Sequence, residues 1–324
     1  MVSLQTIQGP VKEELNQFED YFRKTIKSDT PFLSTIINYI LRAKGKKLRP
    51  NMVFLAAKMF GEISEKVYKA AATIELLHTA TLVHDDIVDE SYERRNFFSV
   101  NALWKNKLAV LVGDYIFAQS LLINTDYYNT EALRYLSQAV KDMSEGEIIQ
   151  MKKSRNPDLR FETYYDIIGK KTGTLIATSL AIGALSTNAD KDDAKKMFDV
   201  GFNIGMAFQI KDDIFDYQEK GLLGKPTGND LREQKITLPL LYVLDKLPFL
   251  EKRNILRKIK AKNKSQSKIN EIIDLVIKNG GVEYATDQMN FYKSTAIKAL
   301  SDFPETESKT ALLNLIDYIT VRDK

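Results

Sequence analysis

Cysteine is absent from the 324-residue chain and histidine occurs only twice. No disulfide framework, thiol nucleophile or thiolate metal site is available, and zinc or copper chemistry built on imidazole has little to work with. A cysteine-free chain fits a reducing compartment, so the expected location is cytoplasmic. Glycine (15) and proline (8) are sparse, which argues for long uninterrupted helices and against an all-β or loop-rich chain. No stretch reaches the roughly 18 consecutive apolar residues of a membrane span, and the opening "MVSLQTIQGP" carries no charged region followed by an apolar one. No integral membrane segment is expected. The net charge of +4 is mild. The densest basic run, "EKRNILRKIKAKNKSQSK" at 251 to 268, has apolar residues at helical intervals and reads as a solvated helix end and loop, with a nucleic-acid or anionic-lipid patch as the lesser alternative. No nucleic-acid partner is expected.

What is present is apolar periodicity. Hydrophobic residues make up 44% of the chain, enough for a core without staples. Val11, Leu15, Phe18, Phe22 and Ile26 recur at the three-and-four spacing of an amphipathic helix. Longer runs, such as "SEKVYKAAATIELLHTATLVHDDIVDE" and "AKKMFDVGFNIGMAFQIKDDIFDY", are apolar on most faces and belong inside a bundle. The breaks between them are too short to be linkers. The expected fold is all-α, with residues 1–324 forming a single domain, a bundle of long helices around a central apolar cavity.

Two of these runs end alike, in "HDDIVDE" at 84 to 90 and "KDDIFDY" at 211 to 217. On a helix at about 100° per residue, Asp85, Asp86 and Asp89 project from one side, and Asp212, Asp213 and Asp216 do the same. At about 6 Å and an effective dielectric of about 20, each carboxylate pair repels by roughly 3 kcal/mol. Protonation, arginine partners or divalent cations must offset that. Oxygen ligands without cysteine or a histidine pair point to magnesium. One cluster alone is as readily a solvated acidic helix end; two identical ones closing apolar helices are not. Basic residues in "GKKLRP", "ERR", "GKKTG" and "GKPTGNDLREQK" then read as phosphate ligands, since magnesium binds through a few carboxylates plus phosphate oxygens. "GKKTG" lacks the upstream glycine and the strand of a nucleotide-binding loop. A diphosphate at the mouth of an apolar bundle remains, a setting suited to ionising an allylic diphosphate away from water.

In their order, "KGKKLRP", "LLHTATLVHDDIVDESYERR", "LVGDYIFA", "GKKTGTL", "QIKDDIFDY" and "GKPTGNDLREQKITLP" resemble the successive signatures of the trans-isoprenyl diphosphate synthase (polyprenyl synthetase) family, of the medium- and long-chain, octaprenyl-like type. That resemblance implies magnesium, three ions per active site with manganese able to substitute. Asp85, Asp89 and Asp212 would be direct ligands, with Asp86, Asp213 and Asp216 supporting them or bridging through water; Asp216 is counted with the metal set. Arg94, Lys171, Thr172, Gln209, Lys225 and Lys235 would hold the allylic diphosphate. Lys46, Arg49, His78 and Arg95 would hold isopentenyl diphosphate, the second substrate. Released pyrophosphate would take the final proton. A homodimer is implied. Each residue also has a plain structural reading: His78 as a satisfied core histidine, Lys46 and Arg49 as a helix-end charge patch, Thr172 and Gln209 as an interhelical hydrogen bond. Asp114 reads as structural. Lys44, Lys47, Asn96 and Gln234 depart from the family pattern, Lys47 where arginine is common and the other three where glycine is, which touches loop geometry and no proposed ligand.

Thr81, Ala80, Leu77 and Thr73, upstream of Asp85, are the expected chain-length residues. No aromatic blocks that turn, so farnesyl or geranylgeranyl diphosphate is expected as primer. About 21 Å of helix up to Ala71 accommodates roughly four or five isoprene units, and the resemblance extends the expectation to six to eight, for a quinone side chain. So apolar a product implies transient membrane contact. The rivals are a geranylgeranyl synthase, a class I terpene cyclase, a non-catalytic partner subunit and a His-Asp phosphohydrolase. The last needs two convergent histidines, whereas His78 and His84 stand about 120° apart on one helix.

Overall fold

Helix ends in this chain are chosen by charge and by proline. The computed structural model describes residues 2–43, 45–94, 97–123, 129–154, 160–217, 228–261 and 265–321. From α1 (Leu4–Gln8) the chain passes through a 3₁₀ turn (Gly9–Val11) into α2 (Lys12–Thr25). Glu13 and Glu14 open α2 and Arg23 and Lys24 close it, matching the backbone dipole at both ends. Pro31 starts α3 (Pro31–Ile40) where a missing N–H costs nothing. In α4 (Leu48–Phe60) every residue from 50 to 57 is buried, so this helix is surrounded on all sides. Then come α5 (Glu65–Val88), a two-stranded antiparallel hairpin of β1 (Glu93–Arg94) and β2 (Phe97–Phe98), and α6 (Val100–Leu122). The hairpin is the one departure from all-helix among the described residues, in a segment that reads from sequence as a break.

The second half holds α7 (Thr130–Ser154), α8 (Phe161–Ile168), a π-helical turn (Gly169–Gly173), α9 (Thr174–Leu185) and α10 (Lys191–Phe215). It closes with α11 (Asn229–Arg232), α12 (Leu238–Lys246), α13 (Phe249–Lys260), α14 (Gln266–Lys278), α15 (Gly281–Ser301) and α16 (Glu307–Val321). The closest helix pairs are α9 with α10, α10 with α15, α5 with α6 and α4 with α9. α10 ties the interior together: Met197, Val200 and Ile204 lie in the largest apolar cluster, Met206, Ala207, Ile210 and Ile214 in a second. Tyr217, just past its end, lies in a third. The two aspartate-bearing segments are the ends of two long helices with buried residues along their length. Among the described residues no helix is long and apolar enough to cross a membrane.

Candidate active site

Asp213 is buried at the end of α10, 4% exposed. Tyr164 Oη donates to its Oδ2 at 2.6 Å and Gln209 Nε2 to its Oδ1 at 3.1 Å, while Thr172 Oγ1 donates to Gln209 Oε1 at 2.8 Å. Burial pushes the Asp213 carboxyl up to about 7, against the pull of the Tyr164 and Gln209 hydrogen bonds and with the push of Asp212. The same burial, with Asp213 alongside, holds the Tyr164 phenol well above its ordinary range, so it remains a donor. Tyr164→Phe should therefore leave a buried carboxylate short of its strongest partner, at a cost of about 2 kcal/mol in urea unfolding near pH 8. An unchanged midpoint would show that the bond contributes nothing.

Lys171 and Thr172 face inward because of the π turn. Its ends, Gly169 and Gly173, lie against Phe202, and a Cβ on Gly205 of α10 would fall 2.6 Å from Gly173 Cα. The missing side chain of Gly205 permits that approach, and Thr172 stands opposite Gln209. Lys171 pairs with Glu147, whereas Lys170 turns outward to Asp166 (3.1 Å) and Glu145 (3.4 Å).

Asp216 takes a part the sequence did not foretell. Its Oδ1 accepts from the backbone N–H groups of Gly228 (3.1 Å) and Asn229 (2.9 Å), and its Oδ2 from that of Asp230 (2.8 Å). The orphan N–H groups at the start of α11 are satisfied by this carboxylate, which anchors the turn in addition to the metal role expected of it. Asp230, on that turn, is a site acid missed from sequence. Burial pushes it up to about 8, with Asp213 and Asp216 adding to the push. Its only sequence signal is its place in "GNDLREQK", where an acid at a helix start is ordinary. Burial opposes the charge on Lys235, yet Glu233 at 2.7 Å, Asp89 and Asp230 outweigh it and raise the ammonium. The field of Asp89 at Lys235 brings the end of the first aspartate helix near the cavity that Lys235 lines with Asp213. Between Glu233 and Lys235, Gln234 is left-handed at φ 63°, where the resemblance expects glycine. Gln234→Gly should stabilise the protein by about 1 kcal/mol in the same unfolding assay; destabilisation would mean that the glutamine side chain contributes more than its backbone strain removes.

On α5, Asp85 is half-buried, Asp86 buried and Asp89 exposed. The Asp86 carbonyl accepts from Ser91 N (2.9 Å) and Asn101 Nδ2 (3.2 Å), which fixes the helix end to the start of α6. His84 points away toward α6: its Nε2 lies 3.4 Å from Asp114 Oδ1 and 3.3 Å from Val110 O, over Gly113, where a Cβ would be 2.2 Å from it. Asp114 is this histidine's partner, in keeping with a structural role. His78 instead lines a cavity of 590 Å³ with Lys46, Arg49, Thr79, Leu82 and Asp86. The two histidines do not converge. Lys46 Nζ stands 5.7 Å from the Tyr318 ring centre. Lys47, left-handed at φ 51°, sends its Nζ to Glu19 at 2.7 Å.

A second cavity, of 210 Å³, is lined by Lys171, Thr172, Gln209, Asp213, Asp230 and Lys235. Adjacent residues of α10, Phe208 and Gln209, line one cavity each, so the two cationic pockets flank the same stretch of α10. Thr73, Leu77 and Ala80 are buried and Thr81 Oγ1 bonds to His78 O, and none of the four lines either cavity. At about 100° per residue, the cavity-facing stripe through Glu75, Thr79, Leu82 and Asp86 lies roughly opposite Thr73, Leu77 and Ala80. The side chain of Arg94, together with Arg95 and Lys225, lies outside the described residues. Among the described residues no three His, Asp or Glu side chains already stand around one point as a metal cage.

Comparison with known proteins agrees with this geometry. Residues 30–276 match the family Polyprenyl synthetase. Heptaprenyl diphosphate synthase component 2 of Bacillus subtilis (strain 168) is 35% identical over 314 residues, covering 96% of this chain and 89% of that one. A decaprenyl diphosphate synthase structure from Rhodobacter capsulatus superposes with a TM-score of 0.93 at 32% identity, covering 99% of this chain and 100% of the other. A polyprenyl synthase from Caulobacter crescentus CB15, complexed with calcium and isoprenyl diphosphate, gives 0.91 at 31% identity, covering 99% and 98%. The bundle therefore has the isoprenoid synthase fold. With its two adjoining cationic pockets flanked by aspartate-bearing helix ends, this chain belongs to the polyprenyl synthetase family and is a polyprenyl diphosphate synthase, a transferase of prenyl groups.

Proposed function

We propose that the protein condenses isopentenyl diphosphate with farnesyl or geranylgeranyl diphosphate, repeatedly, to give an all-trans polyprenyl diphosphate of six to eight units for a quinone side chain. The observation that carries this reading is the adjacency of two cationic pockets, one with Lys46, Arg49 and His78, the other with Lys171, Thr172, Gln209 and Lys235. A cyclase needs one diphosphate site; a condensing enzyme needs two. Lys171, Thr172, Gln209 and Lys235, with Arg94 and Lys225, would orient the allylic diphosphate, and Lys46, Arg49 and His78, with Arg95, the isopentenyl one. The allylic carbon–oxygen bond breaks, pyrophosphate departs, the isopentenyl double bond forms the new carbon–carbon bond, and a proton is lost to pyrophosphate.

The donor set fits magnesium. Asp85, Asp89 and Asp212 offer hard oxygen ligands, and buried Asp213 and Asp230 are pushed up to about 7 and about 8, chiefly by burial and further by neighbouring carboxylates, a push that cations would oppose. When bound, magnesium or manganese would supply Lewis acidity to the leaving diphosphate. Asp86 and Asp213 would steady the ligands beside them. We read the whole chain as one catalytic domain, supported by the passage of α10 through two apolar clusters and of Tyr217 into the third. We place it in the cytoplasm as a homodimer, with exposed Val110, Leu111, Leu121 and Leu122 on α6 as an apolar stripe for a second copy.

Incubation with isopentenyl diphosphate and each allylic primer, with and without magnesium, followed by sizing of the lipid, tests the proposal. The expected product has six to eight units and requires magnesium. A product that stops at geranylgeranyl would refute the chain length; turnover of the allylic substrate that never consumes isopentenyl diphosphate would refute the reaction.

A further inference from the structure

Phe249 and Leu250 open α13 at 74% and 75% exposure, the most exposed large apolar side chains among the described residues. At about 100° per residue, they share an arc of about 100° with Arg253, Arg257 and Lys260, all exposed, and that arc carries no acid. Glu251 falls outside it. Lys258 also falls outside and is paired with Glu271. The other side of α13 is occupied: Ile255, Leu256 and Ile259 pack into the apolar cluster that includes Tyr217 and Leu231. The helix is thus held by one stripe and presents a second, half apolar and half cationic, with no described element over it.

Neither half of that face is explained by the active site. Two exposed apolar side chains at one end favour a hydrocarbon boundary, and three cations behind them favour phosphate. A nucleic acid would meet the cations but gains little from an exposed leucine, which offers no ring for base stacking. We propose that α13 docks on the surface of an anionic lipid bilayer, with Phe249 and Leu250 entering the acyl boundary and Arg253, Arg257 and Lys260 on headgroup phosphates. The use of such docking rests on the proposed polyprenyl product, which is too apolar to leave into water. The docking itself stands on the face, so vesicle binding and product sizing fail separately.

The test is co-sedimentation of the full chain with vesicles of phosphatidylcholine alone and of phosphatidylcholine mixed with phosphatidylglycerol. Binding to the mixed vesicles is expected to be about a hundredfold tighter, about fivefold for each cation at the surface. Arg253→Gln with Arg257→Gln should reduce it about twentyfold, and Phe249→Ser with Leu250→Ser by about tenfold or more. Both double variants should keep their circular-dichroism melts and their turnover with short soluble primers. Equal binding to the two vesicle types, or binding indifferent to either pair, overturns the proposal. Tight binding of single-stranded RNA that the arginine pair abolishes and the apolar pair leaves intact also overturns it and assigns the face to nucleic acid.

Discussion

Asp85→Asn and Asp212→Asn are each expected to lower kcat by about a thousandfold, equivalent to about 4 kcal/mol of transition-state stabilisation, while the protein stays folded. Asparagine keeps the shape of aspartate and removes its charge. The magnesium concentration for half-maximal rate should rise in both variants. Asp216→Asn distinguishes a ligand from an anchor. Its carboxylate receives three backbone N–H groups at the start of α11, so losing its charge should lower stability by about 1 to 2 kcal/mol and disturb turnover less than the other two. Stopped or single-turnover assays with a parallel thermal melt read both quantities. Asp85→Asn turning over within tenfold of the parent would remove the aspartate from the reaction.

The main lines of the site were legible because helix periodicity and ligand spacing obey the same rule. Apolar residues on most faces marked α5 and α10 as buried helices, and the aspartates at their ends repeat on one face by the 100° step. What could not be read depends on neighbours distant in sequence. Asp216 looks identical to Asp89 until the turn at Gly228 comes to rest against it, and Asp230 looks like any acid at a helix start until burial and Asp213 push it up. The π turn is invisible because nothing in "GKKTG" separates it from an α-helix; the contact of Gly173 with Gly205 distinguishes it. Counting residues back from Asp85 gives distance along α5, and the side of the helix that lines each cavity is set by packing against its neighbours. The cavity stripe runs through Glu75, Thr79 and Leu82, while Thr73, Leu77 and Ala80 are packed away.

Arg49→Gln should raise the KM for isopentenyl diphosphate about a hundredfold, equivalent to about 2.7 kcal/mol of lost binding, and leave the KM for the allylic primer nearly unchanged. Arg49 is in the first turn of α4, a turn with no acid and with Lys47 as its N-cap. The helix dipole is positive there, so cations at that end are placed against their own electrostatics. Stability alone would select acids. An arriving diphosphate reverses the sign of the arrangement, because helix end, Arg49, Lys46 and His78 then all attract the same anion. It follows that Arg49→Gln should weaken one substrate only. An enzyme that merely ionises and cyclises an allylic diphosphate predicts otherwise: either no effect, or equal loss for every substrate it accepts. Steady-state kinetics varying each substrate in turn, with a melt of the same preparation, separates the two. A variant that loses stability along with both substrates would mean that Arg49 supports the fold and that the second diphosphate pocket belongs elsewhere.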